Sequence, residues 1–258
     1  MIKIAITGAS GRLGAVLAKA FETTPDLELV ATIDLHGAAP TAAPHFHELS
    51  LETLCGADVL LDVTVAESAR LNAEFALSEG IHVVIGTSGL SEEVRKHLGE
   101  LADAGSRECL LVPNFALGAV LLERFAEQAA RYFESVEVIE LHHPDKRDAP
   151  SGTATNTLQI LANARASAGI SDPPDATEVE TLTGSRGGVG PGGIHVHSVR
   201  LRGLVAHEEI LFGSPGEQLT LRHDSFDRSS FVAGALLAVR RVGQRTGVHV
   251  GLGDLLDS

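Results

Sequence analysis

Chemistry concentrates in one run, Glu140-Leu141-His142-His143-Pro144-Asp145-Lys146-Arg147-Asp148-Ala149-Pro150-Ser151-Gly152-Thr153. Two adjacent histidines leave a strand, Lys146 follows within a few residues, and Ser151-Gly152-Thr153 opens a helix. An imidazole titrates near neutrality and can donate a proton. A lysine ammonium can hold or protonate an anionic substrate. The unpaired amides at a helix start suit a carboxylate. The plainer reading of the same residues is one core histidine, one surface histidine and a solvated lysine.

A second constellation lies at Gly8-Ala9-Ser10-Gly11-Arg12-Leu13-Gly14, between a buried strand and a helix. Gly8 allows a tight turn, Gly11 lets the backbone approach a pyrophosphate, and Gly14 lets the helix pack close to the strand. The spacing is G-x-x-G-x-x-G, weaker than G-x-G-x-x-G, but Asp34 stands at the end of the next strand, where an acid takes a ribose 2′-OH. Arg12 suits a 2′-phosphate instead, so NAD and NADP both stay open. Gly86-Thr87-Ser88-Gly89 and Val112-Pro113-Asn114-Phe115 follow later strands, at carboxyl ends where open α/β sheets place ligands. A glycine turn without nucleotide is the bland alternative.

His195 and His197 alternate along a strand and His45 and His47 sit in a loop, but no metal-ligand spacing accompanies them. No metal is expected. Cys55 and Cys109 read as two reduced, buried thiols.

The elements that must position these groups alternate in the first half. Strands are expected at Ile2 to Ile6, Leu27 to Ile33, Asp58 to Val63, Ile81 to Ile85 and Cys109 to Val112. Helices run from about Arg12 to Phe21, from Ala66 to Ser78, and from Ser91 to a stop at Gly105. That is a Rossmann-type, doubly wound parallel sheet of the α/β class. A helix over Leu117 to Phe133, a strand over Val136 to Leu141 and a helix from about Gly152 to Ala166 come next. A loop from Ser171 to Gly193 then leads to Ile194 to Leu201, Leu204 to Phe212 and Gln218 to Arg222, read as an antiparallel meander. A last helix spans about Ser229 to Gln244. The second domain is therefore α+β with mostly antiparallel strands.

The 258 residues carry 44% apolar and 21% charged side chains, ordinary globular composition long enough for two domains. With 34 acidic against 20 basic residues the net charge is −14, which argues against nucleic acid and anionic membrane partners. An anionic substrate then needs a local basic pocket, and residues 140–153 offer one. No signal peptide and no membrane span is expected, and the reading is a cytoplasmic protein.

Across its whole length the chain resembles the 4-hydroxy-tetrahydrodipicolinate reductase (dihydrodipicolinate reductase) family, and its Glu137 to Thr153 and Val205-Ala206-His207-Glu208 stretches are most similar to actinobacterial members. The resemblance rests on the Glu140 to Thr153 run, the glycine turn, Gly86-Thr87, Pro113-Asn114-Phe115, Gly184-Ser185-Arg186-Gly187 and Phe212-Gly213 to Phe231. It implies His142 as proton donor or acceptor and Lys146 as second donor, with His143, Gly152 and Thr153 holding a small dicarboxylate. It implies NADH or NADPH along Gly8, Ala9, Ser10, Gly11, Arg12, Leu13, Asp34, Gly86, Thr87, Ser88, Val112, Pro113, Asn114 and Phe115. It also implies a homotetramer, a dinucleotide-binding domain of residues 1–116 plus 228–258, and a substrate-binding and oligomerisation domain of residues 117–227. Two residues depart from the pattern: Val63 replaces the usual phenylalanine and Ser88 the usual threonine, both where the family builds its nicotinamide pocket. Related two-domain dehydrogenases of amino acids or inositols, and a nucleotide-sensing protein without turnover, stand as alternatives.

Overall fold

Aliphatic and β-branched runs become strands wherever both faces find cover. β1 (Ile2–Thr7), β2 (Leu27–Ile33), β3 (His45–Phe46), β4 (Val59–Asp62), β5 (His82–Ile85), β6 (Glu108–Leu111) and β12 (Gly247–Val250) form one seven-stranded sheet. Its order is β12-β6-β5-β4-β1-β2-β3, and every neighbouring pair is parallel. The order reverses at β1, between β2 and β4, which makes the carboxyl ends of β1 and β4 the crevice for a ligand. Helices α1 (Gly14–Glu22), α2 (Ala66–Ser78), α3 (Glu92–Gly105) and α6 (Val232–Arg241) belong to the same unit. Ile4, Ile6, Leu17, Phe21, Leu60 and Leu98 are among its fully buried side chains. The structure, a computed structural model, describes residues 1–256.

This unit comprises Met1–Leu117 and the stretch that starts at Arg228; Gly118–Asp227 make a second. The second unit follows α4 (Leu117–Ala129) with β7 (Ser135–His142), α5 (Gly152–Ser167), β8 (Gly188–Val189), β9 (His195–Arg200), β10 (Ala206–Ser214) and β11 (Glu217–Ser225). The sheet order is β11-β10-β7-β9-β8. Leu122 and Ala126 of α4 and Leu158 and Leu161 of α5 pack on Val136, Val138, Ile210 and Phe212, so both helices lie on one face.

The expected meander is corrected here. β10 and β11 form a hairpin, but β9 does not pair with β10; β7 lies between them and runs parallel to β9. The cause is α5, a helical crossover of the kind that carries a chain from one strand to a parallel neighbour. Other differences are local. Cys55 is exposed, in a turn where its own φ is 51°, whereas Cys109 is buried. The left-handed cap of α3 falls on Ser106 (φ 51°), not on a glycine. The short strands β3, β8 and β12 carry too few residues for alternation to show, and the last helix begins as a 3-10 turn at Arg228–Phe231.

Candidate active site

Alternation along β7 puts Glu140 and His142 on the same side of the strand. Glu140 is completely buried, and its Oε2 accepts a 2.5 Å hydrogen bond from His142 Nδ1. Arg200, the register partner of His142 on β9, closes the other side. Its two terminal nitrogens donate to Glu140 Oε2 and Oε1 at 2.9 and 2.8 Å. Burial works to raise the Glu140 carboxyl, but hydrogen bonds from Arg200, Ser198 and His142 outweigh it and hold it below the usual range. An ionised carboxylate only accepts, so Nδ1 of His142 carries the hydrogen and Nε2 is the nitrogen able to take or give a proton. Burial pushes the imidazole below its ordinary value, with the Glu140 hydrogen bond opposing it. The result is an acid that gives up its proton readily.

The following loop is tied to this pair. Arg200 also donates to the backbone oxygen of Asp148 at 2.7 Å, and Lys146 Nζ lies 2.8 and 3.0 Å from the two Asp148 oxygens. Lys146 in turn holds the Asp148 carboxyl below the usual range. Ser151 caps α5: its hydroxyl accepts from Ala154 N at 3.1 Å. The cap leaves the Gly152 and Thr153 amides at the helix entrance, and a Cβ built on Gly152 would meet no atom within 4 Å. That is open space on the side of Gly152 where a side chain would stand. His143 is half-buried. His142, His143, Lys146, Gly152 and Thr153 thus all fall on one stretch from the end of β7 to the first turn of α5.

The glycine turn in the other unit has the geometry that pyrophosphate binding requires. Gly8 has φ 78°, and a Cβ there would lie 2.8 Å from Val63 O. A Cβ on Gly14 would run into Gly8 O. Leu13, at the cap position of α1, makes no side-chain hydrogen bond, so the helix start has no internal anion of its own. Asp34 reaches the turn: its Oδ2 accepts from Ser10 N at 3.0 Å and its Oδ1 from His36 N at 2.9 Å. Burial acts to raise that carboxyl, yet these bonds prevail and lower it. Arg12 is exposed at the same turn. Free amides at a helix start and a carboxylate at the end of the next strand are groups that fit a dinucleotide.

Ala9, Val112 and Phe115 are buried. Asn114 Oδ1 accepts from Ala116 N at 2.9 Å and shapes the turn after β6. The Phe115 ring and Val63 both crowd Gly86, which has no room for a side chain. Ser88 and Pro113 are exposed at the rim.

Three contributors were not singled out from sequence: Glu140, Arg200 and Asp62. The first was legible, because residues two apart on a strand share a face. Arg200 was not, since its place depends on the parallel β7–β9 register. Asp62, fully buried at the end of β4, accepts from Thr7 Oγ1 and Asn72 Nδ2 at 2.7 Å each, and from Thr64 N and Oγ1 at 3.0 and 2.7 Å. Thr87 Oγ1 donates to Thr64 O at 3.1 Å, so one buried carboxylate organises the crest of β1, β4 and β5. The alternating histidines are each engaged separately, His195 with Asp175 and Arg186 O, His197 with Glu137. No group of three or more metal-binding side chains occurs among the described residues.

Known proteins match over the full chain. Residues 2–115 match the family described as dihydrodipicolinate reductase, N-terminus, and residues 118–256 its C-terminus. A 4-hydroxy-tetrahydrodipicolinate reductase of Cutibacterium acnes is 49% identical over 257 residues, covering 99% of both chains. The Nocardia farcinica enzyme of the same name is 50% identical over 260 residues, again 99% of both. Among solved structures, a dipicolinate-bound dihydrodipicolinate reductase from Paenisporosarcina superposes with a TM-score of 0.88 at 39% identity, covering 98% of this chain and 99% of the other. A scyllo-inositol dehydrogenase from Lactobacillus casei, 14% identical at TM-score 0.63, shares the fold alone.

Proposed function

The chain belongs to the dihydrodipicolinate reductase family, and from that premise we propose how its residues divide the reaction. The protein is an NAD(P)H-dependent oxidoreductase that reduces 4-hydroxy-tetrahydrodipicolinate to tetrahydrodipicolinate, a step of lysine and diaminopimelate biosynthesis. The reduced nicotinamide, when bound, supplies the hydride. Gly8 to Leu13, Asp34, Gly86 to Ser88 and Val112 to Phe115 hold it, through backbone amides and the Asp34 carboxylate.

The 4-hydroxyl leaves as water to give a conjugated imine, and hydride addition to that ring leaves negative charge that a positioned acid must quench with one proton. His142 delivers that proton from Nε2, because Glu140 fixes Nδ1. Lys146 is the second donor and holds the anionic ring electrostatically. His143 and the Gly152 and Thr153 amides bind a carboxylate of the small dicarboxylate substrate. The buried Glu140 beneath His142 is the observation that carries this reading, since it gives the imidazole one orientation and one open nitrogen.

The protein acts as a homotetramer in the cytoplasm. Ile139, Leu141, Val199 and Leu211 lie half-buried on the mixed-sheet face opposite α4 and α5, a surface suited to another copy of the chain. Light scattering should return four times the 27.0 kDa chain mass. No helix among the described residues is long and apolar enough to cross a membrane. The activity is tested by supplying pyruvate and aspartate semialdehyde with the preceding synthase and following reduced-cofactor absorbance. Consumption above the synthase-only control is expected; its absence rejects the reductase in favour of a cofactor-sensing protein.

A further inference from the structure

Below His142 the mixed sheet carries a row of polar side chains. Strand register sets His223 of β11, Glu208 of β10 and Glu140 of β7 side by side, with Ser198 of β9 beyond them. Glu208 is 5% exposed, and its Oε1 has no hydrogen-bond partner among the described residues. Directly opposed residues on antiparallel strands have Cβ atoms about 5 Å apart, so Glu208 and Glu140 sense each other's charge.

The surroundings decide which of the two ionises. Glu140 has Arg200 and His142 on it and stays an anion. Glu208 faces Glu123 of α4, His223 of β11 and Glu140 of β7, while Asn156 and Thr157 of α5 bring no charge. Burial, then Glu123 and Glu140, push its carboxyl up to about 7, with the Thr157 hydroxyl opposing them. His223 is itself lowered by burial, so it supplies no steady positive charge.

We propose that Glu208 is a positioning residue for His142, acting through Glu140. It rests on His142 being the acid of the proposed reduction. With Glu208 neutral, Glu140 is the one negative charge on the imidazole, and the positive charges of Lys146 and Arg200 oppose it. With Glu208 ionised, a second negative charge joins the row, and His142 keeps its proton to higher pH. The two groups then titrate as a coupled pair.

Heteronuclear NMR of the resting full-length protein tests this, with labelled imidazole and glutamate carboxyl carbons followed across pH. In the wild-type chain the His142 signal is expected to move in two steps, the second tracking Glu208. In Glu208→Gln, nearly the same shape without the ionisation, the second step vanishes and the His142 midpoint falls by about half a pH unit. Glu208→Asp restores a second step. The alkaline limb of kcat shifts down with the Gln variant while KM for both substrates holds. A single-step His142 curve in the wild-type protein overturns the proposal, and so does an unchanged midpoint in Glu208→Gln. A wild-type protein that reduces no substrate would remove the proposed function instead, and the resting-state titration would still decide the coupling.

Discussion

Nδ1 of His142 lies 2.5 Å from Oε2 of Glu140, and the same carboxylate is gripped through both oxygens by Arg200. One buried anion therefore orients the imidazole and anchors the guanidinium that holds the Asp148 end of the loop. Replacing Glu140 by Gln keeps the shape but removes the charge and lets an amide hydrogen face Nδ1. Turnover is expected to fall about 10- to 100-fold at neutral pH, with cofactor affinity unchanged. Steady-state kinetics with fluorescence titration of NADH decide it; wild-type turnover would show that the orientation is dispensable.

Removing the proton donors should cost more. His142→Gln and Lys146→Ala are each expected to lower kcat by roughly two orders of magnitude or more, again with little change in cofactor binding. If both variants turn over normally, the acid is elsewhere.

Asp34 lies at the glycine turn, where it accepts from Ser10 N and His36 N, and it is expected to govern the cofactor choice. Asp34→Ala removes the charge that repels a 2′-phosphate and leaves Arg12 exposed beside it. The ratio of kcat/KM for NADPH over NADH is expected to rise about tenfold or more. A ratio that stays put would separate this carboxylate from the ribose.

The Asp62 hub predicts a split between stability and binding. Thr87→Val breaks the donation to Thr64 O and should raise KM for the cofactor several-fold without moving the melting temperature much. Asp62→Ala strands the Thr7, Thr64 and Asn72 donors and should cost about 3 kcal/mol in denaturant unfolding. Equal effects of the two substitutions on both readouts would argue against a layered arrangement.

Stability should also carry the mark of Glu208. Its folded carboxyl sits near 7 against 4.5 ordinarily, so between those values the folded state holds a proton that the unfolded state has released. Stability from this group is therefore greatest below pH 4.5 and declines as pH rises to 7. Relative to its standing at pH 4, Glu208→Gln should gain about 3 kcal/mol on the wild type above pH 7, measured by urea unfolding. Parallel stability curves for the two proteins would contradict the burial-driven shift.

The parallel sheet was legible because β1, β4, β5 and β6 are short apolar runs separated by helices of the right length, and local pattern is enough to specify a βαβ series. The same reasoning missed that α5 is also a crossover, since sequence order made β9, β10 and β11 look like successive hairpins. The His142 to Thr153 residues were found as a local cluster. Arg200 and Glu208 escaped because their roles come from cross-strand register, which depends on pairing between residues far apart in the chain. Cys55 was misjudged because an apolar neighbourhood in sequence says nothing about a left-handed turn that lifts the thiol outward.

The pairing of β12 with β6 has a bearing on biosynthesis. Glu108, fully buried, receives the Gly243 and Arg245 amides and the Arg245 guanidinium, and Gly247 to Val250 lie alongside Glu108 to Leu111. A ribosome has to polymerise more than a hundred further residues after β6 before that edge is covered. Until then the nascent sheet presents an unpaired rim and an uncompensated carboxylate, so a nonsense codon upstream of Arg245 should yield a polypeptide that proteases clear rather than a shortened enzyme.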